Sequence, residues 1–443
     1  MYHWAPVLLG LSALCVEASV KVRKTGKGPT GYEVDFKYTN KTANRVRIGG
    51  GITPLTDQLH SILGADNVRY DPHDYKPGDF YVNNAGIDAD YEWPYEMTTD
   101  GDGVWKYSTP LPSGIYSYAY VVDCGFVMNC SIDTGQLVID QDLPPFQNVQ
   151  GDQVSSNFQV PFDPKFQASG IDTNFDYALD APKGHRGTIK SVNYTSPGSI
   201  HPAPDVHHFG LYLPAEYGKV QGKKYPLLYL SHGVGGNGND WENLGRMSAI
   251  MDNLVLGKHI PPTVVVMPSF YNLDDTLPRF IYGNRSNQAP APTVQHIREN
   301  YQAYLFPWVE ENLAVCDEPS CRAFAGLSWG GRLTHEMYVN ATDYFSHFGM
   351  FSPATDPPYI SSETVRNRPE LAEKGIFVAY GLYDSVFSRA RDLESALHLS
   401  GVEFLSRVTP FGSHYWNTWQ DNLWWYGVKA LWKDAPFSAK SGR

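Results

Sequence analysis

The sequence has no long hydrophobic run after its first residues, and it is poor in positive charge. No run of about 18 apolar residues, the length needed to span a bilayer, follows the first 20 positions. Lys and Arg number 35 against 47 Asp and Glu, which gives a net charge of −12. This charge argues against a nucleic acid or an anionic membrane as partner. No metal-ligand cluster and no nucleotide-binding loop is evident in the sequence, so we expect no metal and no cofactor.

Cysteine is also scarce, and its positions indicate an extracellular protein. Residues 1–18 resemble a secretory signal peptide with a short apolar centre, and Cys15 would be removed with it. The other four cysteines fall into two local pairs, which favours disulfides Cys124–Cys130 and Cys316–Cys321 over free buried thiols. Five Asn-x-Ser/Thr sequences are candidate glycosylation sites, at Asn40, Asn129, Asn193, Asn284 and Asn340. The sequence therefore predicts a secreted glycoprotein.

The 443 residues are too many for one ordinary core, and their pattern changes near the middle of the chain. Residues 19–142 show short alternating segments broken by Gly, Pro, Asn and Asp, such as 32–38, which predicts an all-β sandwich. Residues 143–180 have little periodicity and are predicted to be a linker lying across the second domain.

Two segments of the first domain carry a resemblance. Residues 98–105 and 111–118 resemble the early-set, immunoglobulin-like modules that precede many carbohydrate enzymes. The resemblance implies an immunoglobulin-like sandwich, which could bind glycan or serve only as a spacer.

Residues 181–443 alternate between apolar strands and helices, which predicts an α/β domain with a mostly parallel sheet. Predicted strands include 225–230, 263–267, 322–326, 375–380 and 403–408, and predicted helices include 246–256, 293–313 and 418–432. The aromatic residues of the last helix recur at helical spacing, and we interpret them as core packing. The predicted fold class is α/β, with an α/β-hydrolase catalytic domain after the β-sandwich.

A serine lies between one of these strands and the following helix, in Gly326-Leu327-Ser328-Trp329-Gly330. This is the G-x-S-x-G nucleophile elbow in its strand–turn–helix context, where the turn exposes the serine hydroxyl at the carboxyl edge of the sheet. The bare pattern occurs by chance in many chains, so its weight comes from the context and from the partners downstream. Ser328 is the predicted nucleophile.

An activated serine needs a base and an acid that orients the base, in the chain order Ser, Asp, His. Asp384 follows a strand after the elbow, and His414 follows the last strand, which makes them the candidates. Asp356 is the main rival for the acid. The alternatives for the chosen pair are a helix N-cap for Asp384 and a structural loop histidine for His414.

A glycine-rich turn follows strand 225–230, in His232-Gly233-Val234-Gly235-Gly236. Its backbone N–H groups can face a developing oxyanion, and we assign the two donors to the amides of Val234 and Trp329. The same glycines could instead serve only a tight turn. His232 is interpreted as structural.

Residues 232–241 (HGVGGNGNDW) together with 326–331 (GLSWGG) resemble the esterase D superfamily and its carbohydrate esterase family 1 branch. The resemblance covers about residues 209–432. It implies attack of Ser328 on a feruloyl or acetyl ester of a plant cell-wall polysaccharide, or on a small ester, through an acyl-enzyme. Trp329 stands where the family often has Met, and Ser413 and Tyr415 flank the histidine where Gly and Asp are frequent. Trp329, Trp416 and Tyr271 are the predicted substrate-binding residues.

Three alternatives stay open. Siderophore esterases resemble this arrangement because they also carry an N-terminal β domain before a related hydrolase. A lipase is disfavoured because no apolar lid segment is present in the sequence. Outside the enzymes, the alternative is a glycan-binding protein with an inactive hydrolase fold, against which the intact Ser328, Asp384 and His414 set argues.

Overall fold

The computed structural model describes residues 18–49, 72–77, 95–124, 134–140, 156–168, 174–196, 206–234, 236–270, 294–410 and 412–437. The predicted signal peptide lies outside these residues, apart from Ala18, which begins the first strand. A search of the described helices finds none with the length and apolar character needed to cross a membrane.

The N-terminal part consists of antiparallel strands in two sheets. The first sheet has the order β1-β2-β5-β4, and the second has β3-β6-β7 with β8 also paired to β6. The strands are β1 Ala18–Lys24, β2 Tyr32–Thr39, β3 Val46–Gly49, β4 Thr98–Thr99, β5 Val104–Thr109, β6 Gly114–Val122, β7 Leu137–Val138 and β8 Ser156–Val160.

Aromatic side chains join the two sheets. Along β2, buried residues alternate with half-buried ones, as a strand with one covered face requires. The Phe36 ring lies 5.3 Å from Tyr118, and the Tyr38 ring stacks on Tyr120 at 5.2 Å. The described residues of this part are therefore β-rich around one shared core, as expected, while the immunoglobulin-like topology stays a prediction.

The segment predicted as a linker, 143–180, contains a strand, which corrects that interpretation for residues 156–160. β8 pairs antiparallel with β6, and Phe158 and Val160 are buried in the N-terminal core. A five-residue strand between loop residues is too short to produce a periodic signal, so the sequence pattern missed it. Further along, Ala178 lies against the second part, where its carbonyl accepts a 2.8 Å hydrogen bond from Arg246 Nε.

The second part is built on one eight-stranded sheet with the order β16-β15-β14-β13-β11-β12-β10-β9. β9 and β10 are antiparallel to their neighbours, and β11 to β16 run parallel. The strands are β9 Thr188–Thr195, β10 Val206–Leu213, β11 Leu227–Ser231, β12 Val264–Pro268, β13 Arg322–Leu327, β14 His347–Phe351, β15 Gly375–Gly381 and β16 Leu405–Thr409.

The helices of the second part pack on this sheet, and each helix named in the sequence prediction is present. They are α1 Asp240–Asn243, α2 Met247–Leu256, α3 Val294–Asn300, α4 Phe306–Asn312, α5 Trp329–Asn340, α6 Ser362–Asn367, α7 Phe387–Leu399 and α8 Trp416–Lys429. The single helix predicted over 293–313 is divided by a π-helical turn, Tyr301–Leu305. Pro307 follows this turn and has no backbone N–H, so the ordinary hydrogen-bond ladder cannot continue through it.

The N-terminal part contacts the second part directly. Asn157 Nδ2 donates a hydrogen bond of 2.6 Å to the carbonyl oxygen of Asn243, at the end of α1. Ile115 of β6 is buried in the same apolar cluster as Trp416 and Trp419 of α8. The β-rich part therefore shares buried surface with the elements that follow the glycine-rich turn and the last strand.

Candidate active site

The turn between β13 and α5 holds Ser328 in a backbone conformation that side chains rarely adopt. Its φ is 53° and its ψ is −114°, and α5 begins at the next residue, Trp329. The turn needs glycine on both sides: a Cβ on Gly326 would lie 2.6 Å from the Gly330 carbonyl carbon, and one on Gly330 would lie 2.4 Å from the His232 oxygen. Strain of this kind is retained where the surroundings require it, and it leaves the hydroxyl at the edge of the sheet.

Three side chains predicted from distant parts of the sequence meet at this turn. His414 Nε2 lies 3.0 Å from Ser328 Oγ, and His414 Nδ1 lies 2.8 Å from Asp384 Oδ1. Asp384 follows β15, and His414 lies between β16 and α8. The Asp384 side chain is fully buried, while His414 keeps 27% of its side-chain surface exposed. A base thus stands between the hydroxyl and a carboxylate, with one nitrogen toward each.

The surroundings keep the Asp384 carboxylate charged. Burial works to raise its pKa, but hydrogen bonding and charge attraction from His414, with a hydrogen bond from the Val386 N–H, hold the pKa below its ordinary value. The Val386 N–H lies 3.0 Å from Asp384 Oδ1. The rival acid, Asp356, is partly exposed and pairs with Arg332 at 2.8 Å, so its carboxylate is engaged elsewhere.

The segment after β14, Phe351 to Ala354, encloses the serine backbone. The Ser328 N–H donates to the Phe351 carbonyl at 2.9 Å, and the Ala354 N–H donates to the Ser328 carbonyl at 3.0 Å. The sequence interpretation did not single out this segment. Its signal is weak, because a Ser-Pro pair after a buried strand marks only a turn.

The two proposed oxyanion donors lie at the same edge of the sheet. Trp329 is the first residue of α5, and the N–H groups of a first helical turn have no partner within their own helix. Val234 lies in the turn after β11 and is 37% exposed. Gly235 lies outside the described residues. The oxyanion role of Val234 and Trp329 stays a prediction.

His232 is a buried neutral histidine. Burial lowers its pKa to about 3. Its Nδ1 lies 2.7 Å from the Gly233 carbonyl, and the Phe270 N–H donates to Nε2 at 3.4 Å. Its ring stacks on Phe270 at 3.9 Å, and Phe270 lies 5.4 Å from the Trp329 ring. An aromatic row therefore begins next to Ser328.

Of the three predicted substrate-binding residues, the structure describes Trp329 and Trp416. Trp329 is half-buried in the aromatic row beside Ser328. Trp416 is only 9% exposed and packs edge-on against Trp241 and Trp419, so it presents little surface to a ligand. Tyr271 lies outside the described residues.

The predicted modifications can be located in part. Cys316 and Cys321 form a disulfide, as predicted, with Cα atoms 6.4 Å apart. Cys124 is also disulfide-bonded, and its predicted partner Cys130 lies outside the described residues, so that pairing stays a prediction.

Three of the five candidate glycosylation sites are described. Asn193 and Asn340 are exposed and Asn40 is half-buried. Asn129 and Asn284 lie outside the described part of the chain.

Among the residues that the structure describes, no group of three or more His, Cys, Asp or Glu could hold a metal ion.

The fold and this constellation define an esterase-type α/β protein. Residues 204–435 match the profile of the Esterase family, and the chain belongs to that family. It is similar to the endo-1,4-beta-xylanase/feruloyl esterase of Xylanibacter ruminicola, with 28% identity over 333 residues, 73% of this chain and 39% of that protein. It is also 31% identical over 225 residues to endo-1,4-beta-xylanase Y of Acetivibrio thermocellus, which is 46% of this chain and 20% of the relative.

These relatives are much longer than this chain, which spans about two-fifths of the first and a fifth of the second. Among solved structures, the enterobactin esterase FES of Shigella flexneri is similar in fold, with a TM-score of 0.54 and 17% identity. That likeness covers 93% of this chain and 95% of the enterobactin esterase. The predicted resemblance to the esterase family is confirmed by the match of residues 204–435 to that family.

Proposed function

We propose that this protein is a secreted serine esterase of the α/β-hydrolase type, and that it cleaves feruloyl or acetyl esters of plant cell-wall polysaccharide. The observation that supports a serine mechanism is the continuous contact from Ser328 through His414 to Asp384, at 3.0 and 2.8 Å. A serine hydroxyl is a poor nucleophile without such a base, and the buried carboxylate fixes which imidazole nitrogen carries the proton.

The reaction follows from this geometry. His414 Nε2 takes the proton of Ser328 Oγ as the oxygen attacks the ester carbonyl, and the amides of Val234 and Trp329 donate to the resulting oxyanion. His414 then gives the proton to the leaving alcohol, which leaves the acyl group on Ser328. Water attacks the acyl-enzyme by the same route, with His414 again as base, and releases the acid.

The aromatic row favours a planar acyl group. Phe270 and Trp329 lie 5.4 Å apart beside the nucleophile, and aromatic rings pair well in tilted arrangements at this distance. A feruloyl ring could extend this row, whereas an acetyl group would leave it unused. The name of the Xylanibacter relative, which includes a feruloyl esterase, points in the same direction.

A siderophore ester is the second candidate substrate. It is favoured by the fold likeness to the enterobactin esterase, which extends over the N-terminal β-rich part as well as the second part.

The test compares wild type with Ser328→Ala on methyl ferulate, an aryl acetate, acetylated xylan and a ferric tri-ester siderophore. We expect hydrolysis of methyl ferulate by wild type, and a loss of kcat of about 10⁴-fold or more in Ser328→Ala. Equal turnover by the two folded proteins would reject the serine mechanism. Preference for the siderophore would retain the mechanism and replace the substrate.

A further inference from the structure

Two arginines lie at the edge of the proposed active site and share one carboxylate. Arg332 Nη1 lies 2.8 Å from Asp356 Oδ2, and Arg389 Nη1 lies 3.5 Å from Asp356 Oδ1. The side chains of Arg332, Arg389 and Asp356 keep 35%, 48% and 43% of their surface exposed. Among the described residues, neither arginine has a second carboxylate within ion-pair distance. The arginine pair, Arg332 and Arg389, therefore carries one positive charge more than Asp356 neutralises.

Each member of this group belongs to a segment that also forms the proposed active site. The Arg332 N–H donates to the Ser328 carbonyl at 3.1 Å, within the first turns of α5. Asp356 lies two residues after Ala354, whose N–H donates to the same carbonyl at 3.0 Å. Arg389 lies in the first turn of α7, which follows the loop of the proposed acid. The arginine pair and Asp356 are therefore held by the segments that carry or enclose the proposed nucleophile and acid.

Arg332 also continues the aromatic row beside the nucleophile. Its guanidinium carbon lies 6.0 Å from the centre of the Trp329 ring, and Trp329 lies 5.4 Å from Phe270. A cation over an aromatic face is attracted by the ring, which favours this position of the guanidinium. The row thus passes from the buried ring of Phe270 to a half-exposed positive charge, about one helical turn after Ser328.

The positive charge of the arginine pair contrasts with the acidity of the whole chain. A net charge of −12 opposes the approach of a negatively charged substrate. A guanidinium presents five N–H donors in a planar fork that matches a carboxylate, and the ion pair with Asp356 leaves some of these donors for another acceptor. Asp392, one turn after Arg389 on α7, forms no ion pair with either arginine in the described part of the chain. The arginine pair can therefore bind a carboxylate without releasing Asp356.

We propose that Arg332 and Arg389 are specificity-determining residues, and that they bind a carboxylate carried by the ester substrate. The inference rests on the proposed serine esterase function, and it narrows the substrate class to esters with a negative charge near the ester group. The carboxylate belongs either to the acyl group, as in the half-ester of a dicarboxylic acid, or to the sugar, as in a uronic acid. Both sources present the same chemistry to the arginine pair, and the experiment separates them.

The experiment compares two pairs of esters that differ in charge and little in shape. For the acyl side, 4-nitrophenyl hydrogen glutarate is compared with 4-nitrophenyl valerate. For the alcohol side, 3-acetoxybenzoate is compared with 3-acetoxybenzamide. The charge ratio of each pair is kcat/KM for the anionic ester divided by kcat/KM for the neutral ester. It is measured at neutral pH in low and in high salt, together with the melting temperature of each protein.

Three variants change the charge of the group, and two controls change the charge elsewhere. Arg332→Gln and Arg389→Gln each remove one positive charge, and Asp356→Asn removes the shared negative charge. Arg366→Gln and Glu363→Gln make the same changes of net charge at exposed positions of α6. A difference between variant and control therefore reports the local position of the charge and not the charge of the whole protein.

We expect each arginine variant to lower the charge ratio about 5-fold, mainly through a higher KM for the anionic ester, because an ion pair at a half-exposed site is of modest strength. Asp356→Asn should raise the ratio, since its amide no longer neutralises the arginine pair. High salt should lower the wild-type ratio and change it less in the arginine variants. The two controls should keep the wild-type ratio. A change confined to the glutarate pair assigns the carboxylate to the acyl group, and one confined to the benzoate pair assigns it to the alcohol.

A purely structural ion-pair group would affect both esters of a pair equally. Wild-type charge ratios in both arginine variants, for both ester pairs, would overturn the inference even if the melting temperature falls. If Arg332→Gln does not fold, the ratio in Arg389→Gln decides alone. Ser328→Ala is run in parallel: retained hydrolysis there rejects the serine mechanism itself, whereas an inactive Ser328→Ala with wild-type ratios in the arginine variants rejects only the role of the arginine pair.

Discussion

The side-chain amide of Asn157 donates to the main-chain carbonyl of Asn243 across 86 positions of sequence, at 2.6 Å. Asn157 lies on β8 of the N-terminal part, and Asn243 ends α1, the helix that follows the glycine-rich turn. The β-rich part is therefore bound directly to a helix of the second part. A truncation near residue 180 would remove this contact and uncover apolar surface around Trp416.

We expect the two parts to unfold in a single transition, because Ile115 is buried in a cluster made mostly by the second part. Calorimetry and circular dichroism should give one coincident midpoint. Asn157→Ala should lower the free energy of unfolding by about 1 kcal/mol, since it leaves the Asn243 carbonyl without this donor. Asn44→Ala, at an exposed position, is the control. Two separated transitions would contradict the expectation.

The choice of acid can be tested with two asparagine variants. Asp384→Asn should lower kcat about 10³- to 10⁴-fold with little loss of stability, because the amide would favour the wrong imidazole tautomer. Asp356→Asn should keep kcat within a few-fold of wild type, since Asp356 pairs with Arg332. Kinetics on an aryl acetate and melting curves measure both. The reverse ranking of the two variants would move the acid to Asp356.

The sequence was sufficient for the features that depend on local pattern and chain order. Gly326 and Gly330 around Ser328 marked a turn in which two backbones touch. The strands before Asp384 and His414 placed both residues at one sheet edge. The mostly parallel sheet followed from the alternation of apolar strands with helices. In each of these cases, the sequence pattern identified either a turn that needs glycine or the end of a strand.

Features that depend on distant contacts were not predictable in this way. Ser352 differs from an ordinary turn serine through the hydrogen bond that its Oγ accepts from Trp419 Nε1, 67 positions away. Trp416 was predicted to bind substrate, yet it is only 9% exposed and packs against Trp241. Strand β8 is defined by its partner β6 and not by its own five residues.

The disulfide Cys316–Cys321 should matter for stability and not for catalysis. Cys321 precedes β13 and Ser328 follows it, so the two residues lie at opposite ends of that strand. Replacing both cysteines by alanine should lower the free energy of unfolding by about 2 kcal/mol, as expected for so short a loop. The kcat on an aryl acetate should stay within twofold, and a larger loss would show coupling along β13.

Buried histidine should weaken the protein in acid. His208 has no exposed surface, and burial, with repulsion from His207, lowers its pKa from 6.5 to about 4. The unfolded chain takes up this proton below about pH 6.5 while the folded chain resists it, so stability falls as the pH drops toward 4. The loss reaches about 3 kcal/mol for His208.

Melting temperatures of His208→Leu should therefore decline less between pH 6.5 and 4 than those of wild type, because leucine takes up no proton. His185→Gln, at an exposed position, should follow the wild-type curve. Parallel curves for His208→Leu and wild type would contradict the assignment. His335, whose pKa burial lowers to about 4, would leave some acid sensitivity in every variant.

The close backbone contacts at the Ser328 turn decide where this protein can be redesigned. A Cβ at Gly326, Gly330 or Gly331 would meet main-chain atoms at 2.4 to 2.9 Å, so any larger residue there displaces the Ser328 turn. A mutant library aimed at new ester substrates should leave these three positions fixed. Diversity belongs at Val234 and Trp329, whose backbones supply the proposed donors and whose side chains take no part in those close contacts.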